Sequence, residues 1–321
     1  MARRRCPERG RFAKLFLLVL LLLGVGSPPS SGLAASGPDL SLPQGGVLLV
    51  LFPWESTIRD VELGQTTGQV HPWISGKPSE GGGRFRAVLV GVDFAHPPGT
   101  VSLKLVGAGQ TRTQSLSVTE RPFQVSRLSV ARSFVTPPAS FLRRLARERA
   151  VIMKALAAPD VPLRFHAPFL LPLSGRVTHD FGAYRYLNDH PMARHSGEDI
   201  DAPKGTPVHA ANDGVVRLAG RFYYDGNMVI VDHGGGLLTE YLHMSDMVVH
   251  AGDRVVRGEV LGHVGQTGRV TGPVLHYGAV LRGAHINPML LTGLVGQAVH
   301  LPALAPGVQT ASGGRPEGGA H

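Results

Sequence analysis

Apolar positions along this chain come in short runs rather than long stripes. "GGVLLVLFPW" (45–54), "GRFRAVLVGVDF" (83–94), "GTVSLKLVGAG" (99–109) and "TQSLSVTERPF" (113–123) are β-prone, and Gly, Pro and Asp separate them at the intervals of a small sandwich. An N-terminal β-sandwich-like domain is therefore expected over residues 37–130. The stretch "TPPASFLRRLARERAVIMKALAAP" (136–159) differs: it is rich in Ala, Leu, Arg and Glu, and Phe141, Leu145 and Ile152 fall near helical spacing between prolines. It predicts a linker helix whose charges form a solvated face. From 165 to 295 strand-like runs return in "GTPVHAANDGVVRLAG", "GNMVIVDHGGGLLTEYLHM" and "AGDRVVRGEVLGHVGQTG", with turn signals at "NDG" and "HGGG". This predicts a C-terminal antiparallel β-domain, and the fold class is mainly β. Residues 296–321 lack periodicity and are expected to be a disordered tail.

Composition changes the picture mainly at the N-terminus. A basic segment, a pure apolar run "LFLLVLLLLGVG" and the small residues Gly32 and Ala34 read as a signal peptide over 1–34. The apolar run is well short of the roughly 20 residues that span a bilayer. The expected address is export, to the periplasm or cell envelope. Cys6 is the only cysteine and precedes the apolar run, so any metal site must use His, Asp or Glu. Of the formal net charge of +9, residues 1–34 contribute +5, from six Lys/Arg and Glu8. With no basic run beyond them and no interleaved aromatics, nucleic-acid binding is excluded.

Eleven of the 15 histidines lie between 166 and 285, so the C-terminal domain is where chemistry is expected. His71 and His96, beside prolines, are expected in loops facing solvent. Trp54 and Trp73 can pack in a core or offer a glycan-stacking platform. The most informative local feature is "RHSGEDIDAPKGTPV": His195 and Asp199 are four apart, and on an extended strand they share a face. One imidazole and one carboxylate then converge on a cation; a zinc site needs a third protein ligand from elsewhere, and His276 is a candidate.

The ordered set "FGAYRYLN", "DIDAPKGTPVHAANDGVV", "VIVDHGGGLLTEYLHM", "VVRGEVLGHVGQTG", "TGPVLHYG" and "INP" resembles the lysostaphin-type (LytM-domain) zinc metallopeptidases that cut peptide cross-links of bacterial peptidoglycan. The resemblance covers residues 172–288, just over a third of the chain. It implies one Zn²⁺ held by His195, Asp199 and His276, with His243 of "EYLHM" assisting catalysis. Tyr241 divides between core packing and substrate contact, and Asn188 between lining the cleft and a turn. The family's H-x-H motif falls on Val274 and His276, so a catalytic histidine position is a valine that can neither transfer protons nor donate to an oxyanion. His209, His233 and His263 are read as strand or turn residues outside the constellation; His179 and His190 lie close to it in sequence, and His190 is held in reserve as a surrogate. The resemblance thus implies an exported zinc endopeptidase acting on peptidoglycan, with other cell-envelope proteins as further partners. The alternative is a zinc-binding, non-catalytic wall-binding module or activator of a partner hydrolase.

Overall fold

The computed structural model describes residues 38–75, 83–130, 132–157 and 159–304. Residues 1–34, read above as a signal peptide, and residues 305–321 lie outside them. Among the described residues the chain is mainly β, in five sheets.

Alternation explains how the first sheets stack. Strands Val47–Pro53 and Arg84–Gly91 pair antiparallel with Leu49 opposite Leu89 and Val50 opposite Val88. Val50, Phe52, Val88 and Val90 point into one core, against Leu103, Leu105, Leu116 and Val118 of the five-stranded sheet. Leu49, Leu51, Ala87 and Leu89 point the other way, into a core shared with the C-terminal sheet, including Val229, Val231, Tyr241 and Tyr277. This sheet is therefore buried on both faces, which is why "VLLVLFP" reads as one apolar run instead of alternating.

Several side chains tie the N-terminal sheets to the C-terminal half. Trp73 is buried and its indole N–H donates to the Phe165 carbonyl at 2.8 Å, so it is a core residue, while Trp54 is exposed beneath Arg84. His71, expected in solvent, is 8% exposed and sits 3.0 Å from Asp160. Asp160 also pairs with Arg282 at 3.2 Å, and the Arg282 guanidinium reaches the carbonyls of Gly235 and Leu89. Despite the proline beside it, His71 lies on an edge strand, His71–Ile74, where the sheet rather than a loop decides its environment.

The segment after 296 needs a correction. Val299–His300 pairs in parallel with Val50 and Leu51, and Leu301 and Leu304 are buried in the sandwich core. Its few apolar residues carry no period of their own because they complete a sheet built elsewhere in the sequence.

The C-terminal sheet has the order Arg176–His179, Gly197–Asp201, Val274–Leu281, Leu237–Met244, Gly226–Asp232, Gly214–Phe222, Arg254–Val255. One face joins the shared core. Part of the other face, Met228, Ile230, Leu238, Leu242 and Val280, is covered by helix Leu142–Leu156 through Ile152, Ala155 and Leu156. This helix is shorter than the expected 136–159, and its apolar side packs on the sheet.

The turn 233–236 anchors this sheet. Gly234, Gly235 and Gly236 all have positive φ, and a β-carbon on Gly234 would lie 2.1 Å from the Pro162 carbonyl oxygen. His233 is fully buried; its Nδ1–H donates to the Asp213 carbonyl at 2.7 Å and its Nε2 meets the Thr239 hydroxyl at 2.8 Å. Burial pushes its pKa down to about 4. An unfolded chain takes up this proton near pH 6.5 and the folded one only near 4, so the stabilisation is complete above 6.5 and is lost as pH falls through that interval. We expect the His233 ring to stay neutral to about pH 4 in an NMR titration of the metal-free protein; protonation near 6.5 would mean that the turn is open to water.

Candidate metal centre

Strand register builds the centre. Asp199 pairs across the ladder with His276, on antiparallel strands Gly197–Asp201 and Val274–Leu281. Opposed residues face the same side of a sheet, so carboxylate and imidazole meet there. His195 lies just before the Asp199 strand. Its backbone is tied to Ala183 and Gly182, and its Nδ1–H donates to the Asp180 carbonyl at 3.0 Å. That bond leaves its Nε2 lone pair toward Asp199.

His195 Nε2, Asp199 Oδ1 and His276 Nδ1 form a triangle with edges of 3.0, 2.9 and 2.9 Å. All three residues are buried, and together they could hold a metal ion. Burial pushes the His195 pKa down to about 4. Burial raises that of Asp199, but the two imidazoles set against its carboxylate, His195 and His276, outweigh it and hold the carboxyl well below its ordinary value. The centre thus offers a neutral imidazole beside an ionised carboxylate, the forms a metal takes. Three acceptor positions facing one another cannot all be satisfied by the single proton that His276 Nδ1 can supply. A cation resolves that conflict, and two nitrogen donors with one hard oxygen suit Zn²⁺.

His243 reaches the same face by a different device. Along strand Leu237–Met244, strict alternation would send it into the shared core with Tyr241. The pairing with Gly226–Asp232 slips between Asn227 and Val229, giving the His243 strand an extra residue, and His243 itself has φ 69°. A bulge with left-handed backbone re-aims a side chain. His243 consequently lies with its ring 6.2 Å from that of His276, and its Nδ1–H donates to the Thr267 carbonyl at 2.9 Å, leaving Nε2 as an acceptor. Burial pushes its pKa down to about 3, and the charge of His276 acts in the same direction.

Beside the triangle is a cavity of about 360 Å³, lined by His243, Asp199, Arg185, His179, Thr178 and Val274 among others. Val274 is on the same side as His276, as the period of two requires, and supplies an apolar wall. Sequence reasoning missed Arg185, whose guanidinium donates to Asp199 Oδ2 at 2.6 Å, and set His179 aside. His179 pairs in register with Asp199 from the opposite flank to His276. Neither has a local signal in the sequence; only sheet order brings them in.

For Tyr241 and Asn188, each left between a structural and a substrate role, the structure gives structural partners. Tyr241 is fully buried in the core, where its hydroxyl accepts the Ala211 N–H at 2.9 Å and lies 3.0 Å from the Thr239 hydroxyl. Asn188 has φ 48° and braces a turn: its side chain both accepts from and donates to the Val130 backbone at 2.9 Å. It shapes the cavity only indirectly, because Val130 lines it. His190, the reserve surrogate, is exposed on the edge strand His190–Pro191 and is not among the cavity residues.

Residues 193–288 match the model of peptidase family M23. The chain is 42% identical over 118 residues to the peptidoglycan DD-endopeptidase ShyA of Vibrio cholerae, covering 36% of this chain and 27% of that protein. It is 43% identical over 114 residues to the DD-carboxypeptidase/endopeptidase Mpg of Neisseria meningitidis, covering 36% and 26%. The chain thus spans about a quarter of the length of these relatives. A crystal structure of a candidate peptidase M23 from Pseudomonas aeruginosa superposes with a TM-score of 0.60 and 28% identity, covering 78% of this chain and 95% of that one. That likeness extends well beyond residues 193–288.

The placement of Tyr241 has a measurable consequence. Tyr241→Phe leaves the Ala211 N–H without its acceptor and should lower stability to urea by about 1–3 kcal/mol, while metal binding is unchanged. Unaltered stability would remove the hydroxyl from the core's hydrogen-bond chain.

Proposed function

Residues 193–288 are a peptidase family M23 domain, and from that premise we propose that the chain is an exported zinc endopeptidase hydrolysing the peptide cross-links of bacterial peptidoglycan. The carrying observation is the triangle of His195, Asp199 and His276, three mutually facing donors beside a cavity. A zinc ion bound there supplies a Lewis acid that polarises an amide carbonyl and activates water near neutral pH.

The chain's own groups do the rest. In hydrolysis the water oxygen bonds to the carbonyl carbon, the C–N bond breaks, and the water's proton ends on the amine. His243 fits the carrier of that proton, because its Nδ1–H is committed to Thr267 and its Nε2 is an acceptor. Asp180, through its carbonyl, fixes the tautomer of His195. Arg185 donates to the outer oxygen of Asp199 and holds that carboxylate in position. The sequence of residues 1–34 supports export, and an address in the envelope fits a wall substrate.

Val274 is the observation that favours the second reading, a zinc-binding wall module or an activator of a partner hydrolase. Digestion of purified peptidoglycan separates the two. We expect release of new amine termini that stops on chelation, returns with zinc, and falls at least about 100-fold in His195→Ala. Wall that is bound while no peptide is released, even at high protein concentration, would favour the second reading. Val274→His should raise turnover about tenfold or more by restoring a polar group to the cavity wall; an unchanged rate would mean that position 274 does not face the reaction.

A further inference from the structure

We propose that His179 is a catalytic residue of this site: its imidazole donates a hydrogen bond to the reacting carbonyl of the substrate, a function that the cavity wall at Val274 cannot serve. The inference rests on the peptidase reading and adds a residue that the sequence motif does not contain.

Three observations carry it. The first is position. His179 pairs with Asp199 and Asp199 pairs with His276, so one row crosses three strands and puts two imidazoles on either side of the carboxylate. Between Val177 and His179 the ladder slips by one residue. The extra residue, Thr178, is held by Asp199 and Asp201 through its hydroxyl. As with His243, an irregular strand positions a histidine at the centre.

The second is commitment. His195, His209, His233, His243 and His263 each have a ring nitrogen at hydrogen-bond distance from a carbonyl or carboxylate. His179 has none among the described residues. Its Nδ1 is 3.6 Å from Asp199 Oδ2, beyond a hydrogen bond, and Arg185 already occupies that oxygen at 2.6 Å. The third is access. His179 lines the cavity with Val274 and His243, and its side chain is 29% exposed. An imidazole whose ring nitrogens make no hydrogen bond among the described residues, in the wall of the cavity and outside the triangle, is placed to meet a ligand.

The chemistry asks for such a group. As water adds to an amide, charge develops on the carbonyl oxygen, and a fixed donor beside it strengthens in the transition state. Val274 presents only methyl groups. His243, on the other side, is assigned to the water.

The test uses the full chain loaded with zinc and a phosphinic D-alanyl peptide, whose tetrahedral phosphorus imitates the addition state. Binding is measured by calorimetry, turnover on a cross-linked wall peptide, and zinc content by elemental analysis. His179→Ala should weaken phosphinate binding at least about tenfold and lower kcat at least tenfold, with KM and zinc content unchanged. His179→Gln, which keeps a donor, should recover most of the loss. In the Val274→His background, removing His179 should cost less than about threefold, since one donor then replaces the other. Equal losses in both backgrounds, no loss of phosphinate affinity, or loss of zinc in His179→Ala would overturn the proposal. If the wild type binds the phosphinate but turns over no wall peptide, the peptidase reading fails while the affinities still judge His179.

Discussion

The pairing of strands Gly197–Asp201 and Val274–Leu281 fixes most of what this protein can do. Side chains alternate across a sheet, so the register that opposes Asp199 to His276 also opposes Glu198 to Tyr277. A slip of one residue in the Gly197–Asp201 strand would turn Asp199 to the core face and leave His276 without it. The core guards against that slip. Tyr277, Leu275 and Ala279 are buried against the N-terminal sheet, and no polar pair can replace them at acceptable cost. The apolar face of the strand therefore holds the register that its polar face uses, and the triangle inherits its accuracy from packing on the far side of the sheet.

Two departures from regular pairing then refine the site. Both His179 and His243 follow a slip in the ladder, and His243 is held in a left-handed backbone that a non-glycine residue adopts at some cost. The surroundings pin it: its amide donates to Asp225, its carbonyl accepts from Thr267, and its ring bonds the Thr267 carbonyl. Regular strands supply the ligand candidates from opposed positions, while irregular ones bring in side chains that parity would have hidden.

Much of this was legible in the residues. The β-prone runs, the helix and the spacing of His195 and Asp199 follow from local rules of pattern and turn chemistry. The convergence of His276 followed from a resemblance in ordered motifs. What escaped was non-local. Tyr241 sits beside His243 in sequence, yet the bulge between them sends one to the core and the other to the cavity. Asn188 sits where a cleft residue would, but Val130 claims its amide. Arg185 and His179 gain meaning only from the strand order, and the apolar residues after 296 only from the sandwich they complete. Each case turns on a partner far away in the chain, which no window of sequence contains.

The doubly buried sheet carries a last implication, for inheritance rather than chemistry. One face of strands Val47–Pro53 and Arg84–Gly91 belongs to the sandwich and the other to the core behind the site, and the chain's later end returns at Val299–His300 to extend the same sheet. The segment that carries the centre is thus not an exchangeable cassette. Transplanted alone, it would carry a wall of bare apolar side chains, Val229, Val231 and Tyr241 among them, with nothing to cover it. Substitutions in the sandwich face and in the sheet behind the centre must accommodate one another, so the two parts are constrained to change together.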